Sequence, residues 1–137
     1  MKKVKAFVER GHDGTFSVYV DLNSKSLNYG IHGVGNSVKC AIDDFNSAYF
    51  TMQEFHKKMG KPFIEATFEF HYDTASFLQF YTKYFSLTGL SHLTGINKGQ
   101  LSHYLNGQRN PSKKTIEKID TSIQLFAKQI SQVQLVG

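Results

Sequence analysis

Apolar and polar residues alternate along two short stretches near the start of the chain. Residues 3–9 and 16–20 each place apolar side chains at every second position, and the small turn residues 11–14 lie between them. A period of two is that of a β-strand with one buried face. Residues 2–21 therefore predict a β-hairpin, followed by the polar loop Asn23-Ser24-Lys25-Ser26.

The pattern continues through a third strand, a helix and a fourth strand. The apolar positions of residues 27–31 predict the third strand, closed by a turn at Gly33-Val34-Gly35. Apolar side chains then recur at steps of three and four as far as Phe55, which predicts an amphipathic helix over about residues 36–59. Residues 64–70 alternate again as a strand. The first half therefore has the order β-β-β-α-β.

No strand pattern returns after the fourth strand. An aromatic face predicts a helix over about residues 74–85, and shorter helices precede a long one from Ser112 to about Ile130. We therefore expect an α+β chain of two domains. A β-β-β-α-β domain occupies residues 1–72, and an all-α domain occupies residues 73–137.

The net charge is confined to the second half of the chain. Residues 1–73 hold nine Lys/Arg and nine Asp/Glu, whereas residues 74–137 hold seven Lys/Arg and two Asp/Glu. The second half therefore carries the whole excess of +5. This asymmetry favours contact between the second half and a polyanion.

Residues 87–119 have the order of small, polar and apolar residues that two short helices joined by a tight turn require. Gly95 supplies the turn, because a positive φ costs least at glycine. Asn97 can cap the next helix, and Gln100 can complete a capping box. The stretch resembles the helix-turn-helix of the Xre/Cro repressor family. The matching residues are Leu90-Ser91, Gly95-Ile96, Leu101-Ser102, Asn106-Gly107, Pro111-Ser112, Ile116 and Ile119.

Two features of this motif concern its packing. Ile116 and Ile119 are expected to return the last helix to the core. Ser91 and Thr94 depart from the residues most common in the family, which are alanine and leucine, and are expected to loosen the inner packing slightly.

The resemblance implies that the second helix lies in the major groove of DNA. By position, base contacts are expected from Lys98, Gly99, Ser102 and His103. Phosphate contacts are expected from Asn97, Gln100, Gln108, Arg109, Lys113 and Lys114. Gly99 costs the helix roughly 1 kcal/mol relative to alanine and offers no side chain for readout. Either the backbone comes very close to DNA there, or this part of the assignment is wrong.

The first half is similar to the HicB antitoxins. The similarity lies in the element order, in Asp13-Gly14 of the first hairpin and in Gly35-x-Ser37-x-x-x-Ala41 at the start of the helix. The HicB N-terminal domain is a partial RNase H-like fold without catalysis, and many members end in a helix-turn-helix. The resemblance implies an antitoxin that represses its own operon and neutralises a small basic RNA-cleaving toxin of the HicA type.

Two other functions remain open. The chain can be a stand-alone regulator whose first domain senses a ligand or only oligomerises. It can also be a residual RNA-binding or nuclease module that uses Glu9, Asp13 and Asp21, although metal-dependent catalysis needs several converging carboxylates. We expect no enzymatic activity.

The remaining signals predict a cytoplasmic protein without metal or cofactor. The six histidines show no metal-binding spacing, and the single cysteine, Cys40, cannot form an internal disulfide. No apolar run is long enough to span a membrane, and the basic start lacks the apolar region of a signal peptide. The last helix has more apolar length than a small domain needs, which predicts a homodimer or a higher homo-oligomer.

Overall fold

The computed structural model describes residues 1–21 and 25–137, so Asn23 and Ser24 of the predicted polar loop lie outside the described residues. The chain divides into two compact units. Unit 1 is Met1–Phe80 and unit 2 is Tyr81–Gly137. The division lies one helix later than the boundary predicted between residues 72 and 73.

Unit 1 is a four-stranded sheet with one long helix on it. Its elements are β1 (Lys2–Arg10), β2 (Phe16–Val20), β3 (His32–Gly35), α1 (Val38–Lys58), β4 (Ala66–Tyr72) and α2 (Thr74–Tyr81). The strand order is β3-β2-β1-β4, and β1 is antiparallel to β2 but parallel to β4. The predicted β-β-β-α-β order is confirmed, and α2 follows it.

The first hairpin forms as the alternation predicts. Gly14 has a φ of 83° in the turn, and the Gly11 amide donates to the Thr15 carbonyl at 2.7 Å. The Asp13 carboxylate accepts from the amide and the hydroxyl of Thr15. These hydrogen bonds, the hydroxyl one above all, lower the pKa of Asp13. Asp13 therefore has a structural role in this turn.

The third strand was predicted in the wrong place. It begins at His32 and contains the two glycines that were assigned to a closing turn. A Cβ on Gly33 would lie 2.4 Å from both the Ala41 carbonyl oxygen and the Phe45 nitrogen. Glycine is therefore needed because the backbone of α1 lies directly on β3. Residues 27–31, which were predicted to form the strand, precede it. The Tyr29 hydroxyl in this segment donates to the Ile64 carbonyl.

Helix α1 covers one face of the sheet. Ser37 caps it by accepting from the Cys40 amide at 3.1 Å. Its fully buried face packs on the apolar side of β1 and β2, in a core made of Ala6, Val8, Phe16, Val18, Ile31, Val38, Ala41 and Phe45. The predicted apolar face is wrong at its end, because Phe55 is 50% exposed and His56 is only 6% exposed. The His56 ring instead bonds to the Met52 carbonyl.

Unit 2 contains three helices, α3 (Leu87–Thr94), α4 (Lys98–Leu105) and α5 (Lys113–Ile130). The aromatic helix predicted to reach residue 85 ends at Tyr81, where a turn follows. The core of unit 2 consists of Leu90, Thr94, Leu101, Tyr104 and Ile119. In the described part of the chain, no helix is long and apolar enough to cross a membrane.

Candidate nucleic-acid interface

The turn between α3 and α4 has the predicted geometry. Gly95 ends α3 with a φ of 75°, and its amide donates to the Ser91 carbonyl at 2.8 Å. Asn97 caps α4 by accepting from the Gln100 amide at 2.7 Å. The left-handed glycine and the side-chain cap together fix the direction in which α4 leaves the turn.

Thr94 strengthens this turn, contrary to the expectation that it loosens the packing. Its side chain is buried, with 3% of the residue exposed. The hydroxyl donates to the Leu90 carbonyl at 2.7 Å and accepts from the Ile96 amide at 3.2 Å. A buried polar group with both roles satisfied carries little penalty. The hydroxyl therefore joins the end of α3 to the turn.

Helix α4 presents a buried face and an exposed face. Leu101 and Tyr104 are buried, three residues apart on one side. At 3.6 residues per turn, the opposite side is centred on Gly99, Ser102 and His103, with Lys98 on its flank. These side chains are exposed except for Ser102, which is half-buried. The four predicted base-contacting residues therefore lie on the accessible surface of α4.

Gly99 has no structural reason to be glycine. Its φ is not positive. A Cβ at this position would contact only the Asn97 Oδ1, at an ordinary distance of 3.5 Å. Helix α4 therefore accepts the usual cost of an internal glycine without any gain in packing within the chain. The result is a bare stretch of helix backbone in the centre of the exposed face.

The two carboxamides predicted to lie near phosphates have partners within unit 2. The Asn97 oxygen is the helix cap. The Gln100 nitrogen donates to the Tyr104 hydroxyl at 2.8 Å. The predicted capping box is therefore wrong in its second half, since the Gln100 side chain bonds to Tyr104, one turn further along α4, rather than to the backbone of Asn97. Phosphate contact by Asn97 and Gln100 stays a prediction.

The remaining predicted phosphate-binding residues surround the ends of α4 and α5. Gln108 and Arg109 follow α4, and both of their amides donate to the His103 carbonyl. Lys113 and Lys114 form the first turn of α5, which Ser112 caps. All four side chains are exposed. They form a polar rim beside the exposed face of α4.

The cations of this rim form no ion pair in the described residues. None of the helices α3, α4 and α5 has an acidic residue in its first turn. Among residues 1–21 and 25–137, Lys98, Arg109, Lys113 and Lys114 take part in no ion pair. Two lysines at a helix N-terminus are unfavourable by themselves, because the dipole is positive there. An external anion removes this penalty.

Lys118 is a further cation of the site that sequence reasoning missed. A Cβ on Gly95 would lie 3.5 Å from the Lys118 Nζ, so this ammonium lies beside the turn between α3 and α4. The spacing offered a signal, because Lys118 follows Lys114 by four residues and four residues bring side chains to one helix face. The turn is therefore flanked by positive charge from α5.

Helix α5 is only partly packed. Ile119 is buried, but Ile116 is 47% exposed, so the expectation that both return to the core is wrong for Ile116. Ile116, Ile123 and Ile130 follow one another at intervals of seven residues and share one side of the helix. Ile123 is half-buried and Ile130 is exposed. The core of unit 2 therefore leaves Ile116 and Ile130 of this apolar stripe uncovered.

The carboxylates considered for a nuclease do not converge. Glu9 accepts from the Tyr19 hydroxyl, which raises the pKa of Tyr19 to about 12, and Asp13 is held in its turn. In the described ranges, no three His, Cys, Asp or Glu side chains form a group that could hold a metal ion.

Comparison with known families agrees with this geometry. Residues 83–123, fewer than half of the chain, match the family model described as helix-turn-helix. Neither the curated proteins nor the solved structures gave a match. The matched segment contains α3, α4 and the start of α5. The chain therefore carries a helix-turn-helix domain of the Xre/Cro type, which supports a DNA-binding regulator of transcription.

Proposed function

We propose that this chain is a sequence-specific transcriptional repressor that binds double-stranded DNA as a homodimer. One observation carries the proposal. The exposed face of α4, centred on Gly99, lies beside the exposed side chains of Gln108, Arg109, Lys113 and Lys114, and none of the three cations among them forms an ion pair in the described residues. A surface of this kind supplies both parts of DNA recognition, base readout and phosphate contact.

The exposed face of α4 is assigned to the major groove. Lys98 can donate to the O6 and N7 atoms of guanine, and His103 can donate or accept. Ser102 can do either as well. Gly99 lets the helix backbone approach the bases, because no Cβ separates them. Specificity therefore rests on a short row of side chains about two turns long.

The rim is assigned to the DNA backbone. Arg109, Lys113 and Lys114, with Gln108 between α4 and α5, can bind phosphates on both sides of the groove. Such contacts release counterions, so they provide affinity that falls steeply with salt concentration. They also orient α4 without reading sequence.

The stripe of Ile116, Ile123 and Ile130 supports the homodimer. Residues that repeat every seven positions along one helix can pack against the same stripe of a second copy. A two-fold symmetric dimer presents two α4 helices to DNA. We therefore expect an inverted-repeat operator whose half-sites are centred about 34 Å apart, which is one helical turn.

Selection from random duplex DNA at near-physiological salt tests the proposal. We expect enrichment of an inverted repeat with half-sites about 10 base pairs apart. The matched control is the Lys98→Ala, His103→Ala double variant, which should enrich a degenerate sequence. Absence of any enriched sequence with the native chain would contradict the proposal.

We further propose that the repressor is the antitoxin of a type II toxin–antitoxin pair. The similarity of unit 1 to HicB antitoxins and its β-β-β-α-β order support this role. The test is to purify the chain after expression of its own operon. A small basic protein that co-purifies, cleaves RNA alone and is inhibited by this chain is the expected result. A homo-oligomer without such a protein would favour the stand-alone regulator.

A further inference from the structure

An open groove of about 530 Å³ lies in unit 1, between one side of helix α1 and the segment that leads into β3. We call it the α1 groove. Its α1 residues recur at short helical intervals and therefore share one side of the helix; they are Asp44, Ser47, Ala48, Thr51, Met52 and Phe55. The α1 groove therefore follows about three turns of the helix.

The α1 groove has an apolar wall that the core of unit 1 does not fully cover. Ile31 belongs to this core, and Ala48 packs against it. Met52 is half-buried, and Phe55 is 50% exposed. Apolar side chains that line a groove and remain accessible provide the surface that a small ligand buries when it binds.

Asp44 supplies a carboxylate to the α1 groove. Its Oδ2 accepts from the Val34 amide at 2.9 Å, which ties the side chain to β3 and leaves Oδ1 to accept from a ligand. Among the described residues that line the α1 groove, Asp44 has the one carboxylate and His32 the one imidazole, and none is lysine or arginine. The charge of the lining therefore favours a cation.

A second cleft of unit 1 has the opposite charge. Lys2, Lys57 and Lys61 line it, together with Phe63 and Glu65. Both clefts offer aromatic surface, but the second one repels a cation because three lysines surround it. Charge, rather than apolar surface alone, therefore distinguishes the ligand that each cleft can accept.

We propose that the α1 groove binds a small molecule that carries a protonated amine next to an apolar ring or chain. The ammonium group donates to the Asp44 carboxylate, and the apolar part packs against Met52 and Phe55. The hydroxyls of Ser47 and Thr51 can accept from the remaining N–H groups of the amine. The site lies in unit 1, so it is a function additional to the DNA binding proposed for unit 2.

Titration of the full-length chain with three probes, followed by proton–nitrogen correlation NMR spectroscopy, tests the site. Phenethylamine is a cation, hydrocinnamate is an anion and phenethyl alcohol is uncharged, and all three share one phenyl–ethyl skeleton. We expect millimolar phenethylamine to shift the amide signals of residues 31–34 and 44–55. It should bind roughly tenfold more tightly than the alcohol, because hydrogen bonds between charged groups are stronger than neutral ones.

Hydrocinnamate should leave the same amide signals unshifted, because its carboxylate would meet that of Asp44. Equal affinity of the three probes for the α1 groove would overturn the proposal. So would the absence of shifts at these amides with millimolar phenethylamine.

Asp44→Asn removes the charge and retains an oxygen that can accept from the Val34 amide. Affinity for phenethylamine should fall roughly tenfold, whereas affinity for phenethyl alcohol should change little. Asp43→Asn is the matched control, since Asp43 is paired with Lys39 at 2.6 Å and does not line the α1 groove. Equal losses of phenethylamine affinity in the two variants would overturn the proposal.

A second pair of variants tests the apolar part of the site. Thr51→Trp fills the α1 groove with a large side chain and should abolish the phenethylamine shifts. Asn46→Trp places the same side chain at an exposed α1 position outside the α1 groove and should leave them unchanged. Thermal unfolding of both variants shows whether the fold is retained. Undiminished phenethylamine binding by folded Thr51→Trp would contradict the placement of the ligand.

Discussion

The two units of the chain differ in their net charge and in the ion pairs that their charged residues form. Unit 1 has no net charge, and some of its charged residues form ion pairs, as in Lys3–Glu69 and Lys39–Asp43. Unit 2 carries the whole excess of +5, and in the described part of the chain its cations Lys98, Arg109, Lys113 and Lys114 form no ion pair. Charges that find partners stabilise or solubilise a fold. Charges left unbalanced beside the exposed face of α4 indicate an external polyanion.

The two units also differ in whether the fold itself explains the presence of a glycine. In unit 1, Gly33 is explained by the fold, because the backbone of α1 occupies the space of its Cβ. In unit 2, a Cβ on Gly99 would meet only the Asn97 Oδ1, at an ordinary contact distance of 3.5 Å, and the φ of Gly99 is not positive. The first glycine is a packing requirement. The second has no packing requirement within the chain, which is consistent with its proposed use at DNA.

The largest effect should come from filling the space beside Gly33. Gly33→Ala forces a Cβ to within 2.4 Å of two backbone atoms of α1, which cannot move without displacing the helix. We expect unit 1 to lose about 3 kcal/mol or more of unfolding free energy, measured by denaturant titration. Gly30→Ala is the control, since its Cβ would meet no atom within 4 Å. Similar losses for both variants would contradict the packing argument.

The second-largest effect should be a loss of discrimination between base pairs. Lys98→Ala with His103→Ala removes two groups that can read base edges, so discrimination between the selected site and single-base variants should fall by about 1–3 kcal/mol. Competition binding measures this difference. The control is Lys57→Ala with His12→Ala, which removes the same residue types from unit 1. Unchanged base preference in the unit 2 variant would show that α4 does not read the site.

Phosphate binding should give a smaller and sequence-independent effect. Lys113→Ala with Lys114→Ala should weaken binding to every duplex and flatten the slope of log K against log salt by about 0.9 for each phosphate that is no longer bound. Lys57→Ala with Lys58→Ala changes the net charge equally and should leave the slope nearly unchanged. If both double variants flatten the slope equally, only the total charge matters.

Much of the fold could be predicted because periodicity records burial. The hairpin, the long helices and the fourth strand all follow from it. The third strand could not be placed, since its two glycines indicate a turn when they are considered alone. Only the close approach of α1, a contact between distant residues, explains them. Ile116 was misplaced for a related reason, because a helix can present apolar residues that its own domain does not bury.

The candidate site was more predictable in position than in detail. The spacing of Gly95 and Asn97 is enough to place the turn and α4. The partners of Thr94 and Gln100 depend on side-chain geometry, which the sequence does not contain. Lys118 comes beside the turn only when α5 folds back on α3.

Gly99→Ala tests the central claim most directly, because fold and function predict opposite signs. The alanine fits helix α4 without a clash, so the unfolding free energy should rise by about 0.5–1 kcal/mol. Affinity for the selected operator should fall in the same protein, since the new methyl group separates the helix backbone from the bases. Thermal unfolding and operator binding measured together give both values. A more stable protein with weakened binding is the predicted result, and a more stable protein that binds its operator equally well or more tightly would contradict the placement of α4 in the groove.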